Sequence, residues 1–421
     1  MNFRPGAFRK TKDSPGFQKG IFLKMEYRIS NKLANLAPSA IREIFKSLTD
    51  PEIIAFAAGN PAAESFPVDF IRSAAADVLN DMPITALQYG ITEGQPGLRA
   101  ATRQRLASVF GIGREFDDTV IVTGGQQGIE LACKTMCNEG DVVISENPSF
   151  IGALNAFRSN GARIVGVDVD DDGMNVEKLE AALKANPEAK LIYIIPTFQN
   201  PMGITTPLEK RKAIYALAKQ YNVMILEDNP YGELRFSGKD VPTFKSMDED
   251  GIVIYCGSYS KVLSSGLRLG FVCAPKTVLS KMIVAKQVED VHTNVLSQLI
   301  CEKFVTSDKF EPHLDSVRAL YRRKCGLMLD EMDKCFPKEV KYTRPEGGLF
   351  LWCTLPEGIE LGDFVQSALA RKVAVVPGVA FNCDPAAPSD SFRMNYSTPS
   401  DEQIVRGVRI LGEILNEKLG K

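Results

Sequence analysis

From about Thr119 onward, short apolar runs alternate with amphipathic stretches. The runs are Val120–Thr123, Val142–Ser145, Arg163–Val167, Leu191–Ile195, Val223–Leu226, Val253–Cys256 and Leu269–Cys273. Between several of them lie helical candidates, Gly128–Cys137, Val176–Lys184 and Leu208–Gln220. A strand covered on both faces has no polar side to show, so it is near-continuously apolar rather than alternating. Seven such runs interleaved with helices predict a large α/β domain on a mostly parallel seven-stranded sheet. Beyond it, Asn294–Val305 and Glu311–Cys335 predict long helices. Candidate strands follow near Leu349–Thr354, Val373–Val376 and Phe392–Asn395, and Asp401–Lys418 predicts a closing helix. Strict alternation is lost there, which predicts a smaller α+β domain. The expected division is a disordered extension over 1–24, a segment over 25–61 that packs with the small domain, a large domain over 62–315 and a small domain over 316–421.

Composition narrows the function classes. The chain has 421 residues, 44% hydrophobic and 24% charged, ordinary values for a globular protein. A formal net charge of −2 gives no long-range pull toward nucleic acid or an anionic membrane. No apolar stretch reaches the ~20 residues of a bilayer span. The first 24 residues are basic and rich in Gly and Pro but lack the apolar centre of a secretory signal. Nine cysteines lie scattered without a C-x-x-C pair, which points to reduced thiols in the cytoplasm. His292 and His313 are the only histidines, so a multi-histidine metal site is excluded and no metal is expected.

In an open parallel sheet, ligands bind beyond the carboxyl ends of the strands. Four such ends carry polar residues that can converge. After Val223–Leu226 come Asp228 and Tyr231, and after Val253–Cys256 come Ser258, Lys261 and Arg268. After Leu191–Ile195 comes Asn200, and after Val120–Thr123 a Gly124-Gly125-Gln126 turn opens a helix. Taken alone, Lys261 is a solvated loop lysine, and Asp228 or Asn200 is turn chemistry beside a proline. Together they suit pyridoxal phosphate (PLP). A lysine of lowered pKa can form a Schiff base, and a carboxylate can keep the pyridine nitrogen protonated. Main-chain N–H groups of Gly125 and Gln126 at a helix N-terminus, with Ser258 and Arg268, can hold a phosphate. Phe150, beyond Val142–Ser145, offers a ring for stacking.

The strings SYSKVLSSGLRLG (258–270), EDNPYGELRF (227–236), PTFQNPMG (196–203) and LQYGITEGQPGLR (87–99) resemble those of fold-type I PLP enzymes. The nearest resemblance is to the aminoadipate/aromatic subgroup of class I/II aminotransferases, and it covers nearly everything from Tyr27 onward. It implies that Lys261 carries the cofactor, that Asp228 pairs with its ring nitrogen, and that Tyr231 and Asn200 contact its ring oxygen. Gln126, Ser258 and Arg268 would lie near the phosphate, and Tyr89 would reach the phosphate of a neighbouring subunit in a homodimer with shared sites. Arg393 would clamp the substrate α-carboxylate, with Gly59 and Asn200 beside it. Arg42, in Pro38–Glu43, would meet a distal carboxylate. Gly125 stands where many relatives have a hydroxyl residue, and Phe150 where many have Tyr.

The implied activity is transamination between an aromatic, aminoadipate-like or aliphatic L-amino acid and a 2-oxo acid, with 2-oxoglutarate as acceptor. The cofactor residues alone leave open another reaction on the same scaffold, such as β-elimination from a cysteine conjugate. A non-catalytic PLP-binding regulator of MocR-like type, lacking its DNA-binding domain, is the third reading. Fewer than about 30 residues precede the domain-like pattern, too few for an independent winged helix. Intact Lys261 and Asp228 also favour an enzyme.

Overall fold

The computed structural model describes residues 27–34 and 50–421. The 1–24 extension and the Pro38–Glu43 motif with Arg42 lie outside the described residues.

All seven predicted runs become strands of one sheet. Its order is Asp117–Val122, Gly270–Pro275, Val253–Ser258, Met224–Asp228, Leu191–Ile194, Val142–Asn147, Arg163–Asp170, and then an eighth strand, Gly173–Met174. The interior pairings from Val253–Ser258 to Arg163–Asp170 are parallel. Gly270–Pro275 runs against both its neighbours, and the two-residue Gly173–Met174 folds back on Arg163–Asp170. Helices cover both faces. Tyr193 and Leu226 pack on one side with Ile129, Leu131 and Phe157, while Ile192 and Ile225 pack on the other with Leu179 and Ile214. Burial on both sides is why these strands show no polar alternation.

The helix expected from Gly128 begins at Gly125. Gly124, at φ 77°, makes the sharp entry turn, so the glycine pair belongs to the helix start rather than to a preceding loop. Val373–Val376 splits in two. Val373–Ala374 pairs in parallel with Ile54–Ala55, whereas Val376–Pro377 joins a four-stranded antiparallel sheet with Ser391–Asn395, Phe350–Thr354 and Lys341–Tyr342. That smaller sheet packs through Phe364, Phe392 and Met394 against the helices Leu361–Ala370, Asp401–Lys418 and Phe310–Cys335. Asp401–Lys418 starts on a capping box, in which Ser400 and Gln403 satisfy each other's main-chain N–H. No described helix is long and apolar enough to cross a membrane.

Candidate active site

Register brings three distant segments to one point. Gly270 pairs with Ser258 on one side and with Val122 on the other, so Ser258, Arg268 and the Gly124–Gly125 turn meet beyond the carboxyl ends of Asp117–Val122 and Val253–Ser258. The approach demands glycine: a Cβ on Gly270 would lie 2.7 Å from Gly125 N and 2.9 Å from Gly257 O. A Cβ on Gly124 would collide with the Arg268 guanidinium. Arg268 holds a left-handed backbone at φ 55° and donates to Thr123 O at 3.4 Å and Ser265 O at 3.2 Å. The Gly125–Met136 helix has no side-chain cap, so its first N–H groups face this cradle with its guanidinium and serine. That is the composition of a phosphate site.

Asp228 ends the Met224–Asp228 strand and is buried. Its Oδ2 accepts the Tyr193 hydroxyl at 2.7 Å. Burial pushes its carboxyl up to about 7, against the lowering effect of Tyr193. Among the described residues no cation pairs with it, which suits a carboxylate waiting for a protonated ring nitrogen. Lys261 Nζ donates to Gly59 O at 2.8 Å. Desolvation, then the nearby positive charges of Arg393 and Arg268, draws its ammonium down to about 8.

On the facing side, Arg393 projects from Ser391–Asn395 and is 3% exposed. Its Nη1 donates to Asn200 Oδ1 at 2.9 Å and its Nη2 to Ala57 O at 3.2 Å. The guanidinium lies 4.1 Å from the Phe350 ring centre and 4.9 Å from that of Phe381. No carboxylate pairs with it among the described residues, and its Nε is buried without a partner. Asn200 Nδ2 also donates to Tyr231 Oη at 3.3 Å, and burial raises the Tyr231 phenol well above its ordinary pKa.

A cavity of about 470 Å³ joins these groups. Lys261, Asp228, Tyr231, Asn200, Gly125, Gln126, Phe150, Ser258, Arg268, Gly59 and Arg393 all line it. The Gln126 side chain is turned to Gly152 O at 2.8 Å, leaving its main-chain N–H for the cradle. Tyr89 is not part of this lining; it is 80% exposed and stands edge-on to His292 at 5.8 Å. Arg42 lies outside the described residues.

The family described as aminotransferase class I and II matches residues 51–411. The chain belongs to that family. Over 403 residues it is 38% identical to aromatic-amino-acid aminotransferase 1 of Thermococcus litoralis, spanning 95% of this chain and 96% of that one. The kynurenine aminotransferase of Pyrococcus horikoshii superposes with a TM-score of 0.89 at 35% identity, covering 93% of this chain and 97% of that one. The α-aminoadipate aminotransferase of Thermus thermophilus, solved with N-(5′-phosphopyridoxyl)-L-leucine, gives 0.85 at 37% identity, with 93% and 98% covered. The protein is therefore a PLP-dependent aminotransferase of fold type I.

The residues present fit that cofactor. The aminotransferase has a glycine-built phosphate cradle, a buried carboxylate with no cation among the described residues and a lysine of depressed pKa around one cavity. Two participants escaped sequence reasoning. Tyr193 sits inside the apolar run Leu191–Ile195, where the hydroxyl among aliphatic side chains was the available signal. Phe350 meets both Arg393 and Tyr231, yet its position in an apolar strand gave no sign of it.

Proposed function

We propose that this aminotransferase exchanges amino groups between an aromatic, aminoadipate-like or aliphatic L-amino acid and 2-oxoglutarate, and that it acts as a homodimer. The observation that carries the reading is the Arg393 guanidinium, desolvated, unpaired with any described carboxylate and in one cavity with Lys261. Burial draws it down to about 10, and a carboxylate partner would offset that loss of hydration. Every amino and 2-oxo acid carries a planar carboxylate that such a fork can bind through two parallel bonds. Asn200, already bonded to Nη1, keeps the fork turned toward the cavity.

PLP, when bound, supplies an electron sink for the pair left when the substrate Cα–H bond breaks. The Gly125 and Gln126 main-chain N–H groups, Ser258 and Arg268 hold its phosphate, and Phe150 offers a ring face. Asn200 and Tyr231 hold the ring oxygen, and Asp228 keeps the ring nitrogen protonated. Lys261 is the point of attachment. Once the substrate amine has displaced it from the cofactor, its Nζ would be a free amine able to accept the Cα proton, and burial with the positive charges of Arg393 and Arg268 disfavours the protonated form that could not. Tyr89 of each subunit completes the phosphate site of the other, and Arg42 meets the distal carboxylate of 2-oxoglutarate.

Mixing the holoenzyme with single amino acids and following the cofactor's visible band, with products identified by mass, tests this. Loss of the band with a 2-oxo acid released, then glutamate formed on adding 2-oxoglutarate, is the expected result. Ammonia and pyruvate released from a cysteine conjugate, with no glutamate formed from any donor, would replace transamination by β-elimination. Arg42→Ala should raise KM for 2-oxoglutarate far more than KM for a neutral 2-oxo acid; equal effects would remove Arg42 from acceptor choice.

A further inference from the structure

We propose that Glu146 is a positioning residue for the Arg393–Asn200 clamp, acting as a neutral carboxylic acid that fixes the turn carrying Asn200. Glu146 lies near the end of the Val142–Asn147 strand, is 0% exposed and does not line the cavity. Its Oε2 accepts the Ile195 N–H at 2.9 Å and the Gln199 side-chain amide at 3.4 Å. Gln199 in turn donates to Pro148 O at 2.9 Å and accepts the Met202 N–H at 2.8 Å. One carboxyl and one amide thus grip the turn from Ile195 to Met202, and Asn200 stands within it. From there Asn200 reaches Arg393 at 2.9 Å and Tyr231 at 3.3 Å. The inference rests on the reading of Arg393 and Asn200 as the substrate-carboxylate site.

The proton on Glu146 follows from its surroundings. Oε1 is buried and has no hydrogen-bond partner among the described residues. A charged carboxylate with one bare oxygen in such an interior is strongly disfavoured. The Ile195 N–H and the Gln199 amide favour the charged form, but with the other groups facing it they do not offset the burial. Asp228 brings a second acid close by, and Tyr193 is a neutral weak acid already bonded to Asp228. Cys383 donates its thiol to the Glu146 main-chain oxygen at 3.3 Å. Arg211, a weaker influence, is committed to the carbonyls of Thr206, Pro196 and Pro242. Burial accordingly pushes the carboxyl up to about 8. With Asp228 charged against the ring nitrogen, Glu146 is the acid that keeps its proton.

The holoenzyme tests this with two variants. Glu146→Gln is neutral at every pH and keeps an acceptor for Ile195 N–H, so donor KM near pH 7 should stay within about threefold of wild type. Glu146→Ala removes the acceptor and should raise donor KM about tenfold, with kcat changed less and the visible band retained. Melting gives a second readout. The folded value near 8 exceeds the ordinary 4.5, so wild type loses stability as pH rises between them. The advantage of Glu146→Gln in Tm should therefore grow across that window and level off above it. Three results overturn the proposal: Glu146→Gln as impaired as Glu146→Ala at neutral pH, Glu146→Ala with unchanged KM, or a Tm difference independent of pH. Should Glu146→Ala not fold, Gln199→Ala takes its place with the same expected rise in KM, and an unchanged KM there overturns it equally. If Arg393→Ala leaves KM unchanged, the carboxylate-site reading falls; if it is severe while Glu146→Ala is silent, only the role of Glu146 falls.

Discussion

Arg393 donates to Asn200 Oδ1 at 2.9 Å, tying the smaller antiparallel sheet to the turn beyond the carboxyl end of the interior strand Leu191–Ile194 of the large one. The two residues are 193 positions apart, and the bond closes one wall of the cavity. It also leaves Arg393 with a fixed orientation and its Nε without a partner among the described residues.

Arg393→Lys tests that geometry because it keeps the charge and loses the planar fork. Both donor and acceptor KM should rise, and kcat/KM should fall about 10²-fold or more, in line with ~2–5 kcal/mol for truncating one partner of a buried charged pair. Steady-state kinetics with two donors and two acceptors check this. Near-normal KM values throughout would place the carboxylate elsewhere.

Asp228→Asn should act in opposite directions on the free and the cofactor-bound protein. In the free protein, burial raises the carboxyl from 3.8 to about 7. The stability it contributes is fully present below the lower value and lost as pH rises through the upper one. The asparagine variant, uncharged throughout, should gain on wild type across that interval, by on the order of a few kcal/mol, and plateau above it. With PLP bound the order reverses, because only the carboxylate pairs with a protonated ring. Melting curves of both forms between about pH 5 and 8 decide it. A constant difference in the free protein would mean that Asp228 is not destabilised by its burial.

The strands were legible because burial on both faces leaves an uninterrupted apolar string, as in Leu191–Ile194. The same uniformity hid their two faces: Ile192 and Tyr193 point to opposite layers, and no polar alternation marks which one looks toward Asp228. Most of the cavity residues were legible because strand ends in a parallel sheet converge, which places Asn200, Asp228 and Lys261 together from spacing alone. Pairings between remote segments left no local trace. Ile54 meets Val373 through a two-residue strand too short to show periodicity, and the antiparallel direction of Gly270–Pro275 is set by its connection rather than by its composition. Glu146 was invisible for a related reason. A single acid at the end of an apolar run reads as a strand terminus, and only burial reveals that it has no solvent to ionise into.

Tyr193→Phe isolates the one hydrogen bond that supports the Asp228 carboxyl among the described residues. That bond favours the charged carboxylate, so its loss should weaken pairing with the ring. We expect kcat/KM to fall about tenfold and the cofactor dissociation constant to rise, since a bond to a charged group is worth ~1.5–3 kcal/mol. Equilibrium dialysis of the cofactor against each protein measures the second effect. A variant with normal cofactor affinity would show that Tyr193 only fills space.

Tyr89 is the cavity-motif residue that its own chain does not place in the cavity. It is 80% exposed, and exposed Ile84, Leu87 and Ile91 lie beside it in sequence. Its ring stands against His292, close in sequence to the exposed Val288 and Val291. Exposed apolar side chains grouped in this way would suit a surface that a second protein covers. In the proposed homodimer the Tyr89 hydroxyl of one subunit would reach the Gly124–Arg268 cradle of the other, and a two-fold pairing would make that contact reciprocal. The expected species in sedimentation is therefore a homodimer. Tyr89→Phe should preserve it, because the apolar ring remains, while raising the cofactor dissociation constant about tenfold for the lost bond to phosphate. Full activity in a monomer would refute the shared site. A dimeric Tyr89→Phe enzyme with unchanged cofactor affinity would keep the assembly and reduce Tyr89 to packing.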